Sequence, residues 1–237
     1  MIDTIHAAAA GAASPSTAGA MPPAGEAAAP QAPAAGAGFI PAGFPARPVS
    51  LVLCGVGGQG TILAADLLAR AALGSGFDVK VSEIHGMAQR GGSVSTTVRF
   101  GERVSSMVCG PSAADVVLSL EVLEAIRNLP FLAPGGHLVC ADVVTEPMSV
   151  LSGLASMPDD PRGLLRELGR DAVEIVDADA IARGAGNARC ANVALLGAAA
   201  RHLPIGLDAW HAAIEGRVPP KTVEANLLAF DAAYSGR

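Results

Sequence analysis

The stretch from Val49 to Ala72 constrains the fold of this chain more than any other. The apolar run Val49–Cys54 has the length and composition of a buried strand, and apolar residues at helical spacing follow between Ile62 and Ala72. The sequence GVGGQG, residues 55–60, lies between them. A strand, a glycine loop and a helix in this order form the first unit of a nucleotide-type α/β fold.

The glycine loop has a specific spacing and more than one use. Gly55, Gly57 and Gly60 match the pattern G-x-G-x-x-G, in which glycines permit a sharp turn and the close approach of a ligand or a neighbouring chain. The free N–H groups at the start of the following helix can bind an anion or a polar group. Gly58 and Gln59 complete the loop, and Gln59 can either contact a ligand or cap the helix. The motif alone does not separate a bound dinucleotide from a tight turn.

Composition narrows the class of protein. The chain has 237 residues, which suits one α/β domain, and its net charge of -6 argues against nucleic acid as a partner. No apolar run is long enough to span a bilayer. The cysteines are far apart and form no C-x-x-C pair: Cys54, Cys109, Cys140 and Cys190. We therefore expect buried structural thiols, no metal site in this chain and a reduced, cytoplasmic protein.

The first 47 residues differ in composition from the rest of the chain. They consist mainly of Ala, Pro and Gly, and such a segment cannot bury enough side chain to offset the entropy of ordering it. The sequence predicts a disordered tail over residues 1–47 and one folded domain over residues 48–237.

Alternation and helical spacing predict the remaining elements. The predicted strands after the first cover residues 77–83, 93–100, 103–109, 114–120, 137–141 and 173–176, with 103–109 as the return strand of a hairpin. The predicted helices after the first cover residues 121–129, 162–169, 178–183, 191–203, 207–216 and 221–234. We expect an α/β fold: a Rossmann-like, mostly parallel sheet with an inserted antiparallel hairpin and C-terminal helices.

Three stretches together resemble one known family. They are GVGGQG at residues 55–60, SEIHGMAQRGGSV at residues 82–94 and PPKTVEANLLAF at residues 219–230. The chain resembles the gamma-type subunits of 2-oxoacid:acceptor oxidoreductases, and most closely those of the indolepyruvate ferredoxin oxidoreductase type. The resemblance runs from Val49 to Phe230, and the second stretch is its most specific part.

The resemblance implies a shared reaction. Such enzymes decarboxylate a 2-oxoacid oxidatively, transfer the acyl group to coenzyme A and pass electrons to ferredoxin. Thiamine diphosphate and iron–sulfur clusters are then expected in a large alpha partner subunit, with no cofactor in this chain. The residues agree, because the sequence has neither clustered cysteines nor a G-D-G run followed by paired asparagines. No catalytic residue is expected here, and the isolated chain should be inactive.

The connection between the second and third strands is the other candidate site. His85, Gln89, Arg90, Gly91 and Gly92 are expected at the carboxyl end of a strand, where open α/β sheets bind ligands. Arg90 can pair with a carboxylate or with a phosphate of coenzyme A, or only with a nearby acid such as Glu83. His85 can act as a base near neutral pH or fix the loop. We predict that this connection and the glycine loop contact a ligand or the partner subunit.

Two other functions remain open on the sequence alone. The first is an NAD(P)-dependent dehydrogenase, which the glycine spacing favours together with Glu83 at the end of the second strand, where a ribose-binding carboxylate is expected. The second is a pure assembly module whose loops never reach the active site.

Overall fold

The computed structural model describes residues 47–85 and 91–236. The predicted disordered tail lies outside the described residues apart from Arg47. The strands are β1 Val49–Val56, β2 Asp78–His85, β3 Ser93–Gly101, β4 Ala114–Ser119, β5 Leu132–Ala141 and β6 Val173–Val176. The helices are α1 Thr61–Gly74, α2 Val122–Asn128, α3 Met148–Leu151, α4 Pro161–Gly169, α5 Ala178–Gly184, α6 Ala191–Ala200, α7 Leu207–Glu215 and α8 Val223–Tyr234.

The strands form one mixed sheet with the order β2-β3-β1-β4-β5-β6. β1, β4, β5 and β6 pair in parallel, whereas β3 is antiparallel to both of its neighbours, β1 and β2. The carboxyl ends of β1, β2, β4, β5 and β6 therefore share one edge, and β3 begins there. The expected α/β fold with an antiparallel insertion and C-terminal helices is confirmed.

The hairpin is built from different strands than predicted. We expected residues 103–109 to return beside β3, but they form no strand. Both edges of β3 are already occupied, by β1 on one side and β2 on the other, so no edge remains for a third partner. The segment is instead held by Arg99, whose guanidinium donates to the carbonyls of Ser106 and Val108 over 2.8 and 3.1 Å.

Helices cover both faces of the sheet. The sequence of β1 shows why a strand of this sheet can be buried on both sides. Leu51 and Leu53 point into the larger core, which includes buried residues of α1, α6, α7 and α8. Val52 and Cys54 point to the opposite face, against α2 and α4. Since successive strand residues alternate between faces, a continuous apolar run is what a strand buried on both sides requires.

The C-terminal helices complete the larger core. α6 is apolar apart from Asn192, and its residues 192–200 are all buried. It packs closely on α8 at Gly197, where an added Cβ would lie 2.3 Å from the carbonyl oxygen of Phe230. Asp177 caps α5, because its carboxylate accepts from the Ala180 N–H at 2.8 Å.

Within the parts of the chain that the structure describes, no helix has both the length and the apolar character needed to cross a membrane.

Candidate functional site at the carboxyl end of the sheet

The glycine loop joins β1 to α1 and is fixed by its own atoms. Gln59 Oε1 accepts from the Val56 N–H at 2.7 Å, so this side chain stabilises the turn rather than capping α1. Gly58 and Gly60 have φ angles of 105° and 91°, which other residues rarely adopt. No side chain of the described residues caps the start of α1, so within that part of the chain the backbone donors of its first turn have no side-chain partner.

Asn192, at the start of α6, closes the loop from the other side. Its Nδ2 donates to the Gly60 carbonyl at 3.2 Å, although the two residues are far apart in sequence. A Cβ on Gly60 would lie 2.4 Å from that same nitrogen. Gly60 is therefore needed both for its backbone conformation and for the close approach of α6.

A cleft of about 530 Å³ opens between these elements, at the carboxyl ends of β1, β4 and β5. Gly58, Gly60 and Asn192 line it on one side, and Asp179 and Arg189 on another. The Arg189 guanidinium forms no hydrogen bond or ion pair with the described residues. Open α/β sheets bind ligands at this position, where neighbouring strands lead into helices on opposite faces of the sheet, as β1 leads into α1 and β4 into α2.

The connection between β2 and β3 contacts the glycine loop. Gly57 N–H donates to the Gly92 carbonyl at 2.8 Å, and Gly91 N–H donates to the Gly57 carbonyl at 3.3 Å. His85 ends β2, with its backbone paired to Val94. The side chain of His85 and residues 86–90, among them the predicted Gln89 and Arg90, lie outside the described residues. The structure thus places the glycine loop in contact with Gly91 and Gly92, which are the described end of the other predicted loop.

Two buried carboxylates beside this junction escaped the sequence prediction. The sequence places Glu121 and Glu124 at the start of the helix that follows β4, where acids suit the helix dipole, and in the structure each is about 1% exposed. Glu121 caps α2 by accepting from the Glu124 N–H at 2.9 Å, and it also accepts from the Thr145 N–H at 3.0 Å. Charged residues are seldom fully buried, so sequence alone gave no signal for them beyond the capping position.

The four thiols show no sign of activation. Burial raises the pKa of Cys54 to about 12, and burial also raises the pKa values of Cys140, Cys190 and Cys109. A nucleophilic thiol needs the opposite shift. The predicted structural role of Cys54, Cys140 and Cys190 is confirmed by their burial.

The position of Glu83 removes the structural basis for the dehydrogenase hypothesis. Glu83 pairs with Thr96 of β3, and Thr96 pairs in turn with Leu53 of β1. Because β3 lies between them, Glu83 is two strand spacings, about 10 Å, from the strand that carries the glycine loop. A ribose-binding carboxylate belongs at the end of the strand next to β1, and here that neighbour is an antiparallel strand.

Comparison with known proteins decides the family. The family model described as Pyruvate ferredoxin/flavodoxin oxidoreductase matches residues 50–236. The chain belongs to this family. The Indolepyruvate oxidoreductase subunit IorB of Thermococcus kodakarensis is 39% identical over 189 residues, which is 78% of this chain and 94% of the relative. The family resemblance drawn from the three sequence stretches is confirmed.

Solved structures in the pyruvate ferredoxin/flavodoxin oxidoreductase family share the fold. The pyruvate oxidoreductase subunit PORC of Thermotoga maritima aligns with a TM-score of 0.61 and 24% identity, over 80% of this chain and 96% of that chain. A 2-oxoglutarate:ferredoxin oxidoreductase from Magnetococcus marinus aligns with a TM-score of 0.59 and 18% identity, over 81% of this chain and 32% of that chain. A domain of this fold thus occurs both as a separate subunit and as part of a longer chain.

The third family stretch is structural in its described contacts. In residues 219–230, Asn226 is buried and its Nδ2 donates to the Thr222 carbonyl at 2.7 Å, whereas Glu224 is exposed. The two side chains point to different sides of α8, as their spacing predicts. This member of the family therefore concentrates its candidate functional residues at the carboxyl end of the sheet, away from α8.

Proposed function

We propose that this chain is the non-cofactor-bearing subunit of a 2-oxoacid:ferredoxin oxidoreductase that acts on indolepyruvate and related arylpyruvates. The complex would convert a 2-oxoacid, coenzyme A and two oxidised ferredoxins into an acyl-coenzyme A, carbon dioxide, a proton and two reduced ferredoxins. The single observation that carries this proposal is the 39% identity to an indolepyruvate oxidoreductase subunit over 94% of that subunit's length.

The side chains of this chain support the proposal that a large partner subunit binds the cofactors. Iron–sulfur clusters are held by sets of cysteine thiolates, and the whole sequence has four cysteines, of which Cys54, Cys140 and Cys190 are buried in the cores. Among the described residues, no group of three or more His, Cys, Asp or Glu side chains is arranged to hold a metal ion. We therefore assign thiamine diphosphate and the iron–sulfur clusters, and with them electron transfer to ferredoxin, to the large alpha subunit.

The carboxyl end of the sheet is the part of this chain that we assign to the active site of the complex. The cleft beside the glycine loop offers N–H groups of α1 and the Arg189 guanidinium, none of which has a side-chain partner among the described residues, and this combination suits a phosphate. Coenzyme A brings phosphates to this reaction as its co-substrate. The predicted contact residues His85, Gln89 and Arg90 belong to the connection that ends against the same loop.

Apolar side chains at this end fit a surface that meets another subunit. Several are more than half exposed and lie at the end of β2, after β5 or at the start of α1: Ile62, Ile84, Met148, Leu151 and Leu154. Covering them with the large subunit would stabilise the complex by removing apolar area from water.

Co-expression with the large thiamine-dependent subunit tests the proposal. The purified pair should reduce ferredoxin with indolepyruvate in a reaction that requires coenzyme A, and neither subunit alone should do so. A pair that forms no complex, or a complex inactive with every 2-oxoacid, would refute it. The isolated chain should also bind neither NAD nor NADP in calorimetric titration.

Substitutions at the carboxyl end separate this function from pure assembly. We expect Arg90→Ala and Arg189→Ala to raise the KM for coenzyme A by about ten- to a hundredfold, since a charge-assisted phosphate contact contributes about 1.5–3 kcal/mol. Arg183→Ala is the matched control, because Arg183 is an exposed arginine on neighbouring α5 that does not line the cleft. If all three variants share wild-type coenzyme A kinetics, the chain is an assembly module.

A further inference from the structure

Glu124 is a buried carboxylate that its own helix does not require. It lies in the first turn of α2 with a side chain that is 2% exposed. Glu121 already caps this helix through its bond to the Glu124 N–H. Burying a carboxylate is costly unless it is paired and hydrogen-bonded. A buried Glu124 carboxylate therefore needs partners for both of its oxygens.

Two side chains supply those partners. Its Oε2 accepts a hydrogen bond of 2.5 Å from the Ser93 hydroxyl, and its Oε1 pairs with the Arg127 guanidinium one helical turn later. Arg127 balances the charge from within α2, whereas Ser93 belongs to a different element. Ser93 is the first residue of β3 and follows Gly91 and Gly92 directly.

Ser93 therefore links α2 to the junction of the two loops. Gly91 and Gly92 each share a backbone hydrogen bond with Gly57 of the glycine loop. A small cavity of about 40 Å³ at this junction is lined by Gly91, Ser93 and Glu124, with Glu121, Glu146 and Arg127 as the other charged residues around it. The end of the connection that follows β2 is thus held on one side by Gly57 and on the other by Glu124.

We propose that Glu124 is a positioning residue for the 2-oxoacid oxidoreductase reaction. Its carboxylate holds Ser93, and through Ser93 it fixes the Gly91–Gly92 end of the connection against the glycine loop. Glu124 touches no reacting atom; it acts by keeping Gly91 and Gly92 in register with the glycine loop. This inference rests on the proposed function, because it assigns the junction to the active site of the complex.

The variant Ser93→Ala removes the hydrogen bond between Ser93 and Glu124 with the smallest change in side-chain shape. In the co-purified complex it should lower kcat/KM for coenzyme A about tenfold, because small misplacements of a positioning group are costly for catalysis. Ser93→Thr keeps the hydroxyl and should restore kcat/KM to within about twofold of wild type. Glu124→Gln keeps an acceptor for Ser93 and should resemble Ser93→Thr, whereas Glu124→Ala should resemble Ser93→Ala.

Ser75→Ala is the matched control for loss of one serine hydrogen bond. The Ser75 hydroxyl donates to the Ala71 carbonyl at 2.9 Å at the far end of α1. This variant should keep wild-type kcat/KM for coenzyme A. The inference is overturned if Ser93→Ala and Ser75→Ala have the same kinetics, or if Ser93→Thr loses as much activity as Ser93→Ala.

Hydrogen exchange of the isolated chain separates this inference from the proposed function. Exchange at the Gly57 amide reports its bond to Gly92 without any need for activity. It should become at least about tenfold faster in Ser93→Ala and stay unchanged in Ser75→Ala. Unchanged exchange in Ser93→Ala would overturn the positioning role even if the complex is active. An inactive wild-type complex together with faster exchange would overturn the role in catalysis along with the proposed function.

Discussion

The two ends of the sheet carry clefts of nearly equal size but differ in how their polar groups are paired. The cleft at the amino end has about 500 Å³ and is lined by Arg47, Arg99 and Ser50. Its guanidinium groups are engaged within the chain: Arg47 with the Asp115 carboxylate at 2.5 Å, and Arg99 with the Ser50 hydroxyl at 3.0 Å. At the carboxyl end, the cleft of about 530 Å³ leaves the start of α1 uncapped and the Arg189 guanidinium unpaired within the described residues.

This difference shows that cleft volume alone does not identify a site. Donors that are already paired would have to give up a partner to bind a ligand, whereas donors without a partner would not. We therefore assign ligand and subunit contacts to the carboxyl end and a structural role to the amino end.

Two glycines with similar φ angles give the sharpest test of the two ends. Gly60→Ala at the carboxyl end places a Cβ at φ 91° against Asn192, whereas Gly76→Ala at the amino end places one at φ 87° with no atom within 4 Å. Both should lose about 1–2 kcal/mol of unfolding free energy from backbone strain. Only Gly60→Ala should also lower the turnover of the complex, by about a hundredfold, because the loop must shift. Denaturant unfolding and steady-state assays measure both effects, and equal turnover in the two variants would contradict the assignment.

Substitution of one arginine at each end compares an ion pair whose carboxylate is buried with an ion pair that is exposed. Arg127→Ala leaves the buried Glu124 carboxylate without its cation and should cost about 1–3 kcal/mol, below the range for fully buried pairs because Arg127 is itself half exposed. Arg47→Ala removes an exposed partner of Asp115 and should cost less than about 1 kcal/mol. Urea unfolding of the isolated chain checks the order of the two variants. A larger loss for Arg47→Ala would show that the amino end is the more tightly organised one.

Arg99→Ala tests whether the amino end is structural. Arg99 holds residues 103–110 through the Ser106 and Val108 carbonyls, so the variant should lose about 1–2 kcal/mol of unfolding free energy. The kcat and KM values of the assembled complex should not change. A raised KM for coenzyme A or for the 2-oxoacid would place a substrate contact at this end instead.

The smallest predicted effect is a pH dependence near the amino end. The His202 ring stacks on His137 at 3.9 Å between centroids, and burial, together with His137 and Arg201, lowers the pKa of His202 below its ordinary 6.5. Glu174, 3.9 Å away, opposes this shift. The unfolded chain therefore takes up a proton at higher pH than the folded chain does. Stability is unaffected above about pH 6.5 and falls as the pH is lowered through that value.

His202→Gln measures that pH dependence directly. Urea unfolding measures the free energy of unfolding at pH 7.5 and at pH 5.5. Protonation of His202 should make this free energy lower at pH 5.5 in the wild type by less than about 1 kcal/mol, and His202→Gln should lack this contribution. An equal decrease in wild type and variant would show that other groups set the acid response.

Local sequence signals predicted much of the fold. The glycine loop and the strand at residues 173–176 each depend on chemistry within a few residues, and both are confirmed. The return strand at residues 103–109 was wrong because strand pairing is a competition for edges, and β2 occupies the edge that this segment would need. Local alternation cannot show which of two segments takes an edge.

The candidate site was only partly predictable for a similar reason. The sequence identified the glycine loop and Gly91–Gly92, and the structure joins them through Gly57. It gave no signal for Asn192, which reaches Gly60 from the start of α6, or for the burial of Glu124 beside Ser93. These contacts depend on the packing of elements that are distant along the chain.

Hydrogen–deuterium exchange of this chain, alone and in complex with the large subunit, measures which end of the sheet meets the partner. We predict protection on assembly at residues 55–62, at Gly91–Ser93 and at Met148–Leu154, together with unchanged exchange at residues 99–112. Protection confined to residues 99–112, with the glycine loop still exchanging as in the free chain, would contradict the assignment of the carboxyl end to the active site of the complex.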